Sequence, residues 1–365
     1  MRIGLVCPYS LTVPGGVQLQ VLGLARALRH QGHDVRVLAP CDGPPPDAGV
    51  TPLGNSIPTA TNGSVAPLAP DPAAQLRLIR ALRDEEFDVL HLHEPLAPGP
   101  TMTACVVKPA PLVGTFHAAG SVGAYTWGRP PLRWLARRLD VRAAVSAAAR
   151  DLAQHALGGE YELVFNGIEI ERFAAVEPWP SDGPTIVFMS RHEPRKGLAV
   201  LLEAFTLMAP EVRLWVASDG PETATLRTRY AGDPRIEWIG RVSEEDKARR
   251  LRGADVFCAP SLGGESFGVI LLEAMAAHTP IVASDLPGYA NVARADRDAL
   301  LVPPGDPVVL AAALERVLGD PDHADRLVAS GLQRAEHFSM DTLAARYGGL
   351  YERATRSRHG RARPL

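Results

Sequence analysis

The sequence predicts an α/β protein with two domains, each built on a doubly wound parallel sheet. The chain has 365 residues, which is more than one hydrophobic core usually holds. Short apolar runs typical of buried strands alternate with amphipathic segments typical of helices. The alternation stops at a stretch with three prolines, residues 173–184, and then begins again, so we interpret this stretch as an interdomain linker.

The first half of the chain repeats a strand–loop–helix–strand pattern. An apolar run at 2–7 predicts a buried strand, and a turn-rich loop leads into a helix at 17–31 that ends at Gly32. A strand at 35–39 follows, and such a unit predicts parallel strands joined by a right-handed crossover. Further along we expect one more helix and four more strands, at 75–83, 89–93, 112–116, 142–146 and 161–165.

The second half has the same organisation. An apolar run at 185–190 restarts the series, and four further strands are expected, at 212–217, 236–239, 256–259 and 281–283. We therefore predict a Rossmann-like N-terminal domain at 1–172 and a Rossmann-like C-terminal domain at 173–340. We expect a helix at about 341–356 to pack back on the first domain and residues 357–365 to form a basic tail.

Composition and charge argue against several classes of protein. The net charge of -3 argues against a nucleic-acid partner, which would require a broad basic surface. The four cysteines are far apart and form no CxxC pair, so we expect reduced thiols rather than zinc or disulfides. No apolar run approaches the roughly 18 residues of a membrane span, and the first run is too short for a signal peptide, so we expect a cytoplasmic protein.

A glycine pair between the first strand and the first helix is the first candidate site. Gly15 and Gly16 would let a ligand approach the backbone, and the helix N-terminus would offer free N–H groups to an anion such as a phosphate. A tight turn without a ligand is the alternative. The pattern is not G-x-G-x-x-G, so the dinucleotide fingerprint is absent.

A basic loop, SRHEPRKG at residues 190–197, follows the first strand of the second half. It carries Arg191, Arg195 and Lys196 at the carboxyl end of a strand, which is where open α/β sheets bind ligands. Three cations at such a place suit a diphosphate, and a solvated basic turn is the alternative.

A glycine-rich loop and the helix after it form the third candidate, GGESFG at 263–268 and LLEAMA at 271–276. Glu265 lies in the loop, and Glu273 lies about two helical turns later. A solvated helix start could explain Glu265 alone. It does not explain a carboxylate at Glu273 inside an apolar helix.

These motifs resemble those of a known enzyme family. The E-x7-E pair, the segment HTPIVASDLPG at 278–288 and the loop RHEPRKG at 191–197 are similar to motifs of the family 4 retaining glycosyltransferases. The resemblance implies the GT-B fold, with the active site in the cleft between two Rossmann-like domains. Five further segments resemble the actinobacterial branch that transfers mannose from GDP-mannose to a phosphatidyl-myo-inositol lipid: MRIGLVCPYSLTVPGGVQ, NGSVA, DVLHLHEP, GTFH and CAPSLGGESFGVILLEAMAAHTP.

The resemblance also implies roles for the matching residues. Gly16 would place its N–H on the donor phosphate, while Arg191 and Lys196 would hold the diphosphate and stabilise its charge. Glu273 would bind the ribose, and Glu265 would lie near the sugar hydroxyls. The other expected substrate contacts are Gly15, Asn62, Glu193, Gly264, Ser266, Phe267 and Gly268.

His117, in the segment GTFH, would face both the sugar and the acceptor. A single histidine after an apolar strand is a core residue about half the time. The position of His117 at a strand end and the resemblance together favour a functional role. We expect no cofactor beyond the nucleotide sugar and no essential metal. DRD at 296–298 is better explained as a polar turn, and His91 and His93 as a strand face that lacks further metal ligands.

Basic residues in the first half suggest contact with an anionic membrane surface. Arg77, Arg80 and Arg83 share one side of a short helix, and residues 127–142 combine five arginines with two tryptophans. A solvated charged face is the alternative. A peripheral position on the inner face of the plasma membrane would bring the protein to a lipid acceptor, whereas a small-molecule acceptor would not require it.

Three departures from the family pattern lie on the acceptor side. AAG at 118–120 replaces hydroxyl residues, Pro67 replaces a basic residue, and fewer cations precede residue 88. A transferase that uses another nucleotide sugar or a soluble acceptor therefore stays open. From other classes, a non-catalytic nucleotide-sugar-binding module is disfavoured by the intact charged motifs, and an NAD-dependent epimerase by the missing fingerprint.

Overall fold

The computed structural model describes residues 1–61, 64–118, 129–265 and 267–361. The chain forms two compact units: unit 1 comprises Met1–Gly167 and the residues from Met340 onward, and unit 2 comprises Ile168–Ser339. The first boundary therefore lies earlier than the expected position after residue 172. Several residues singled out from the sequence lie outside the described residues: Asn62, Ala119, Gly120, Trp127, Ser266 and the last four residues of the expected tail, 362–365.

Unit 1 contains a parallel sheet and a separate hairpin. Its strands are β1 Arg2–Val6, β2 Asp34–Ala39, β3 Val50–Pro52, β4 Ile57–Thr61, β5 Ser64–Leu68, β6 Val89–His93, β7 Leu112–Phe116, β8 Val141–Ala144 and β9 Glu162–Leu163. The seven-stranded sheet has the order β3-β2-β1-β6-β7-β8-β9, and β4 pairs antiparallel with β5. The order of the strands along the chain reverses between β1 and β6, as the doubly wound pattern predicts.

The helices of unit 1 bury their apolar sides against this sheet. They are α1 Gly16–His30, α2 Pro72–Asp84, α3 Pro100–Val107, α4 Arg129–Ala136, α5 Ala147–Leu157 and α13 Met340–Arg361. Helix α2 begins where Asp71 accepts a hydrogen bond from Ala74 N at 2.9 Å, with Pro72 in the first turn. Side chains of α2 to α5 share one core with strands β6 and β7.

Helix α13 returns to unit 1 and packs against α1 and the strands β6, β7 and β8. Gly23 of α1 faces the Met340 side chain at the start of α13, and a Cβ there would lie 2.6 Å from its methyl carbon, so that flexible side chain would have to shift. The helix continues to Arg361, beyond the expected end at 356, since no proline interrupts it before residue 364. The first residues of the expected basic tail are therefore helical.

Unit 2 is a second doubly wound domain. Its strands are β10 Thr185–Met189, β11 Arg213–Ala217, β12 Ile236–Gly240, β13 Val256–Ala259, β14 Ile281–Ser284 and β15 Leu300–Val302, in the parallel order β12-β11-β10-β13-β14-β15. Its helices are α6 Glu171–Ala174, α7 Leu198–Phe205, α8 Thr223–Arg229, α9 Glu244–Gly253, α10 Val269–Ala276, α11 Pro307–Gly319 and α12 Pro321–His337. Here the order reverses between β10 and β13.

The proline-rich stretch at 173–184 is not a linker, because it is docked within unit 2. Phe173 is buried, and Trp179 N donates to the carbonyl oxygen of Arg249 at 2.9 Å. The guanidinium groups of Arg249 and Arg250 lie 4.8 and 4.1 Å from the Trp179 ring centroid. Apolar burial and cation–π contacts therefore hold the extended segment against α9. In the described part of the chain, no helix is both long and apolar enough to cross a membrane.

Candidate functional site

The basic loop and the glycine-rich loop of unit 2 follow neighbouring strands. Residues 190–197 follow β10 and residues 260–268 follow β13, at the reversal of strand order where open α/β sheets bind ligands. Leu262 N donates to the carbonyl oxygen of Arg195 at 2.7 Å. A Cβ at Gly197 would lie 1.9 Å from the carbonyl oxygen of Pro260, and Gly197 has a φ of 71°. Only glycine fits at this position, so the sequence allows the two loops to close into one site.

Three cations and two carboxylates meet in these loops. Lys196 Nζ lies 2.5 Å from Glu265 Oε1, and the two side chains are only 15% and 11% exposed. Glu193 joins the other two cations, with Oε1 at 2.5 Å from Arg191 Nη2 and Oε2 at 2.9 Å from Arg195 Nε. Both arginines remain about half exposed, so the cluster keeps a surplus of one positive charge on an accessible surface.

Ser261 and Tyr289 support Glu265, and neither residue was predicted from the sequence. Ser261 Oγ donates to Glu265 Oε1 at 2.9 Å, and the same hydroxyl lies 2.9 Å from the hydroxyl of Tyr289. Burial raises the pKa of Tyr289, so its phenol stays neutral. The one sequence signal for Ser261 was its place after an apolar strand, and many loop serines share such a place.

The remaining glycine-rich residues shape the start of α10. Gly264 and Gly268 have φ angles of 73° and 93°, and Gly268 is the N-cap of the helix. Phe267 is buried, and its ring meets that of Phe338 edge-on with centroids 5.7 Å apart. A contact between Phe267 and a substrate would therefore use its backbone rather than its ring.

Glu273 is a buried carboxylate with a lysine partner that the sequence analysis missed. Lys247 Nζ lies 2.8 Å from Glu273 Oε1 and 2.9 Å from Glu244 Oε2. Burial lowers the pKa of Lys247, but the two carboxylates outweigh it and the pKa lies above its ordinary value. In the sequence, Lys247 lies in the charged run EEDKARR, which resembles an ordinary solvated helix face.

In unit 1 the glycine pair begins α1, beside the reversal of strand order between β1 and β6. Gly15 is the N-cap of this 15-residue helix, and no described side chain caps it. A Cβ at Gly16 would meet no described atom within 4 Å, so its surroundings are open. Gln18 braces the loop, since its Nε2 donates to the carbonyl oxygen of Val13 at 3.1 Å. The helix therefore presents N–H groups to open space, as an anion site requires.

His117 and Glu94 follow the adjacent strands β7 and β6. Glu94 Oε1 accepts hydrogen bonds from His117 N at 2.8 Å and from Ala118 N at 2.6 Å. Burial raises the pKa of Glu94 to about 7, although these two hydrogen bonds favour its charged form. Burial also lowers the pKa of the half-buried His117 to about 4, so its ring is neutral near pH 7. Glu94 was not predicted as a site residue, although it lies in the segment DVLHLHEP.

Comparisons with known proteins identify the family. A profile described as "Glycosyltransferase Family 4" matches residues 14–172, and one described as "Glycosyl transferases group 1" matches residues 183–320. The phosphatidyl-myo-inositol mannosyltransferase of Mycobacterium leprae is 40% identical over 365 residues, which cover 96% of this chain and 96% of that protein. The chain belongs to the group 1/family 4 glycosyltransferases.

Two further comparisons support the family and the fold, respectively. The phosphatidyl-myo-inositol mannosyltransferase of Mycolicibacterium smegmatis is also 40% identical over 365 residues, covering 96% of this chain and 94% of that protein. The solved structure of Anabaena HepE in complex with UDP and glucose matches with a TM-score of 0.72 at 18% identity, covering 96% and 99% of the two chains. The family and the GT-B fold expected from the sequence are confirmed, and the protein is a glycosyltransferase enzyme.

In this glycosyltransferase the HxH pair belongs to the core. His91 Nδ1 lies 2.9 Å from the Tyr351 hydroxyl and Nε2 lies 2.7 Å from Thr115 Oγ1, so both ring nitrogens have partners. Within the described ranges, no three His, Cys, Asp or Glu side chains are grouped to hold a metal ion. The DRD segment is more than a polar turn, because Asp298 is buried and accepts from Arg294 Nε at 2.7 Å.

The basic residues of unit 1 divide into structural and accessible ones. Arg77, Arg80 and Arg83 are all exposed on α2, but Arg77 Nη1 also donates to the carbonyl oxygen of Leu53 at 2.9 Å. In the second basic segment, Trp134 is 52% exposed and Arg138 lies over its ring at 5.1 Å. Three arginines of this segment, Arg133, Arg138 and Arg142, donate hydrogen bonds to backbone carbonyl oxygens of unit 1.

Proposed function

We propose that this glycosyltransferase moves mannose from GDP-mannose to a phosphatidyl-myo-inositol-type lipid and retains the anomeric configuration. The observation that carries the proposal is the 40% identity, over 96% of the chain, to phosphatidyl-myo-inositol mannosyltransferases. The cation cluster after β10 and β13 supports a diphosphate donor. The base and the sugar are proposed from the relatives alone.

The chemistry proposed for unit 2 is electrostatic. Cleavage of the bond between the anomeric carbon and the diphosphate leaves an electron pair on a phosphate oxygen and positive character on the sugar. Arg191, about half exposed, and Lys196 would neutralise that growing negative charge. The departing phosphate would then take the acceptor proton on the same face, which gives retention without a protein nucleophile. The contacts of Glu265 with Lys196 and Ser261 support a charge-balancing role for this carboxylate.

Two further groups would hold the donor. Glu273 can only accept hydrogen bonds while it is ionised, and ribose hydroxyls are donors of matching chemistry. Lys247, at 2.8 Å, favours the ionised form of Glu273 and orients it. The open N-terminus of α1 at Gly16 would bind a donor phosphate through its backbone. Gly15, Gly264 and Gly268 would shape these loops, and Glu193 would orient the two arginines that it bridges.

The lipid acceptor is proposed to come from an anionic membrane surface on the cytoplasmic side. Helices α2, α3 and α4 are neighbours in unit 1. Each carries exposed apolar side chains, Leu76 at 66%, Val106 at 50% and Trp134 at 52%, and the first and last also carry exposed arginines. Apolar side chains with interspersed cations suit peripheral binding to anionic headgroups.

A donor screen tests the donor part of the proposal. Melting temperature is measured with GDP-mannose, UDP-glucose, UDP-N-acetylglucosamine and ADP-glucose, and transfer of labelled mannose to phosphatidylinositol vesicles is then followed. We expect GDP-mannose to give the largest stabilisation and the labelled lipid to keep the donor's anomeric configuration by NMR. A larger shift with a UDP or ADP sugar, or an inverted product, would overturn the donor or the stereochemical assignment.

A second candidate acceptor is a soluble polyol. It is favoured by Pro67 and Ala118, where the chain departs from the family pattern on the acceptor side. Parallel assays with free myo-inositol and with phosphatidylinositol vesicles decide between the two. Labelled product found only in the aqueous phase would show that the acceptor is a soluble polyol and not a lipid. The non-catalytic module and the NAD-dependent epimerase are contradicted by membership in a glycosyltransferase family.

A vesicle experiment tests the membrane surface. Arg80→Ser with Arg83→Ser should reduce co-sedimentation with phosphatidylglycerol vesicles at low salt, because each exposed cation near such a surface contributes about 1 kcal/mol. The matched control is Arg229→Ser with Arg241→Ser, which removes the same charge from exposed positions in unit 2. Equal losses in the two double variants, or equal binding of the wild type to neutral vesicles, would contradict the proposed surface.

A further inference from the structure

His93 is a buried side chain in contact with His117 that the mechanism above does not use. It ends strand β6, and the strand register places it opposite Thr115 on β7, two residues before His117. His93 Nδ1 lies 3.1 Å from His117 Nε2, the ring centroids are 5.3 Å apart and the ring planes differ by only 27°, so the two nitrogens meet edge to edge as a hydrogen bond requires. His93 is 2% exposed, and its Nε2 has no hydrogen-bond partner among the described residues.

The contact between two neutral imidazoles admits only two proton arrangements. Burial lowers the pKa of both rings, so each carries one N–H near pH 7. If His117 Nε2–H donates, the proton of His93 must sit on its Nε2, where it is a buried N–H without a partner. If His93 Nδ1–H donates, its Nε2 is a bare acceptor and the proton of His117 sits on Nδ1. Orphaned buried N–H groups are rarer in proteins than under-satisfied acceptors, so the second arrangement is favoured.

We infer that His93 is a positioning residue: its Nδ1–H donates to His117 Nε2 and makes Nδ1–H of His117 the donor that faces the substrate. No described residue accepts a hydrogen bond from His117 Nδ1, so the N–H is available to an oxygen of the sugar or of the acceptor. The inference rests on the role proposed above for His117, and it adds the tautomer and the residue that selects it.

Two neighbours make this support rigid. Glu94 binds the backbone N–H of His117, which leaves only the side-chain torsions of His117 to be fixed by His93. His93 in turn packs against His91, with ring centroids 4.2 Å apart and ring planes inclined at 31°. His91 is held on both ring nitrogens by Tyr351 and Thr115, so the layer beneath His93 cannot rotate freely. A functional side chain held in this way keeps one orientation between turnovers.

The tautomer is measured directly by 15N NMR of histidine-labelled full-length enzyme without substrate, because the nitrogen shift separates a protonated ring nitrogen from an unprotonated one. His117→Gln assigns the signals among the 11 histidines. We expect His117 protonated on Nδ1 in the wild type, and loss of that state or a tautomer mixture in His93→Leu. Nε2 protonation of His117 in the wild type, or no change in His93→Leu, would overturn the inference.

Kinetics with the best sugar nucleotide from the donor screen supplies the second readout. His93→Leu should lower kcat about 10- to 100-fold, by analogy with the loss of residues that orient a metal-bound histidine. KM for the donor should change much less than kcat, because the contacts proposed for the diphosphate and the ribose in unit 2 stay intact. His93→Asn keeps an amide N–H near the position of Nδ1 and should recover most of kcat. Equal losses of kcat in the two variants would contradict a hydrogen-bonding role.

His323→Leu is the matched control for folding. His323 is also a buried histidine, and its Nε2 has no hydrogen-bond partner in the described ranges, but it lies on α12 of unit 2. His323→Leu should alter the melting temperature and leave kcat unchanged. If its kcat fell as much as that of His93→Leu, the loss of kcat in both variants would be explained by reduced stability. The NMR result does not depend on the donor, so a failure of the GDP-mannose assignment is distinguishable from a failure of this inference.

Discussion

Lys196→Met is expected to reduce catalysis far more than folding. The substitution keeps the apolar stem of the side chain and removes one of the two cations proposed to face the leaving diphosphate. Loss of one such preorganised contact typically lowers turnover about 100- to 1000-fold, which corresponds to roughly 2.7–4 kcal/mol of transition-state stabilisation. Arg191 remains in the variant, so residual transfer should still be measurable above the uncatalysed rate.

The structure also predicts a cost in stability. The position of Lys196 in a loop would by itself suggest that its substitution lowers the unfolding free energy by less than about 1 kcal/mol. Lys196 Nζ, however, lies 2.5 Å from Glu265 Oε1, with side chains 15% and 11% exposed, and breaking a buried pair costs about 3–5 kcal/mol. Glu265 Oε1 keeps Ser261 at 2.9 Å and Arg195 at 3.9 Å, so we expect a smaller loss of roughly 1–3 kcal/mol.

Three variants, measured beside wild type for turnover and melting temperature, separate the two effects. Glu265→Gln combined with Lys196→Met leaves no unpaired buried charge, so the double variant should melt higher than Lys196→Met while its turnover stays low. Lys108→Met is the matched control, because Lys108 pairs with Asp140 at 3.0 Å in unit 1 with similarly limited exposure. It should lose stability with normal turnover. Near-normal turnover in Lys196→Met, or a double variant no more stable than the single one, would refute the reasoning.

Four further outcomes are expected. Excess chelator should leave transfer unchanged, because fixed cations can replace a metal; activity lost in chelator and restored by magnesium would contradict this. Binding to anionic vesicles should fall as salt rises, since screening shortens the field of exposed cations such as Arg80 and Arg83. Lys247→Met should raise KM for the donor more than it lowers kcat, because it releases a carboxylate that binds the ground state; a pure kcat effect would count against it. The pKa of Glu94 is raised in the folded enzyme, from 4.5 to about 7, so its contribution to stability is lost as pH rises across that window. The difference in unfolding free energy between Glu94→Gln and wild type should therefore shift in favour of the variant by up to roughly 3 kcal/mol between pH 5 and pH 8. A difference that does not depend on pH would contradict this titration.

Much of the fold could be predicted because its signals are local. The apolar runs that became β1, β6, β10 and β13 are short, bounded by turn residues and separated by amphipathic segments, and this pattern predicts a parallel sheet in any context. The proline-rich stretch was misinterpreted for the same reason. Prolines mark an extended segment, but its docking depends on Trp179 reaching the guanidinium groups of α9, and that contact is not local.

The sequence by itself determined the two doubly wound domains and the chemical character of each loop: glycines before α1, cations after β10 and carboxylates after β13. Which charges meet was decided by the tertiary structure. Lys247 and Glu273 are 26 residues apart and His93 and His117 are 24 apart, and each pair forms only because particular elements become neighbours. The burial of titratable side chains is also decided by the tertiary structure. A carboxyl such as that of Glu94 acquires a pKa near 7 from its packed surroundings, and those surroundings exist only in the folded chain.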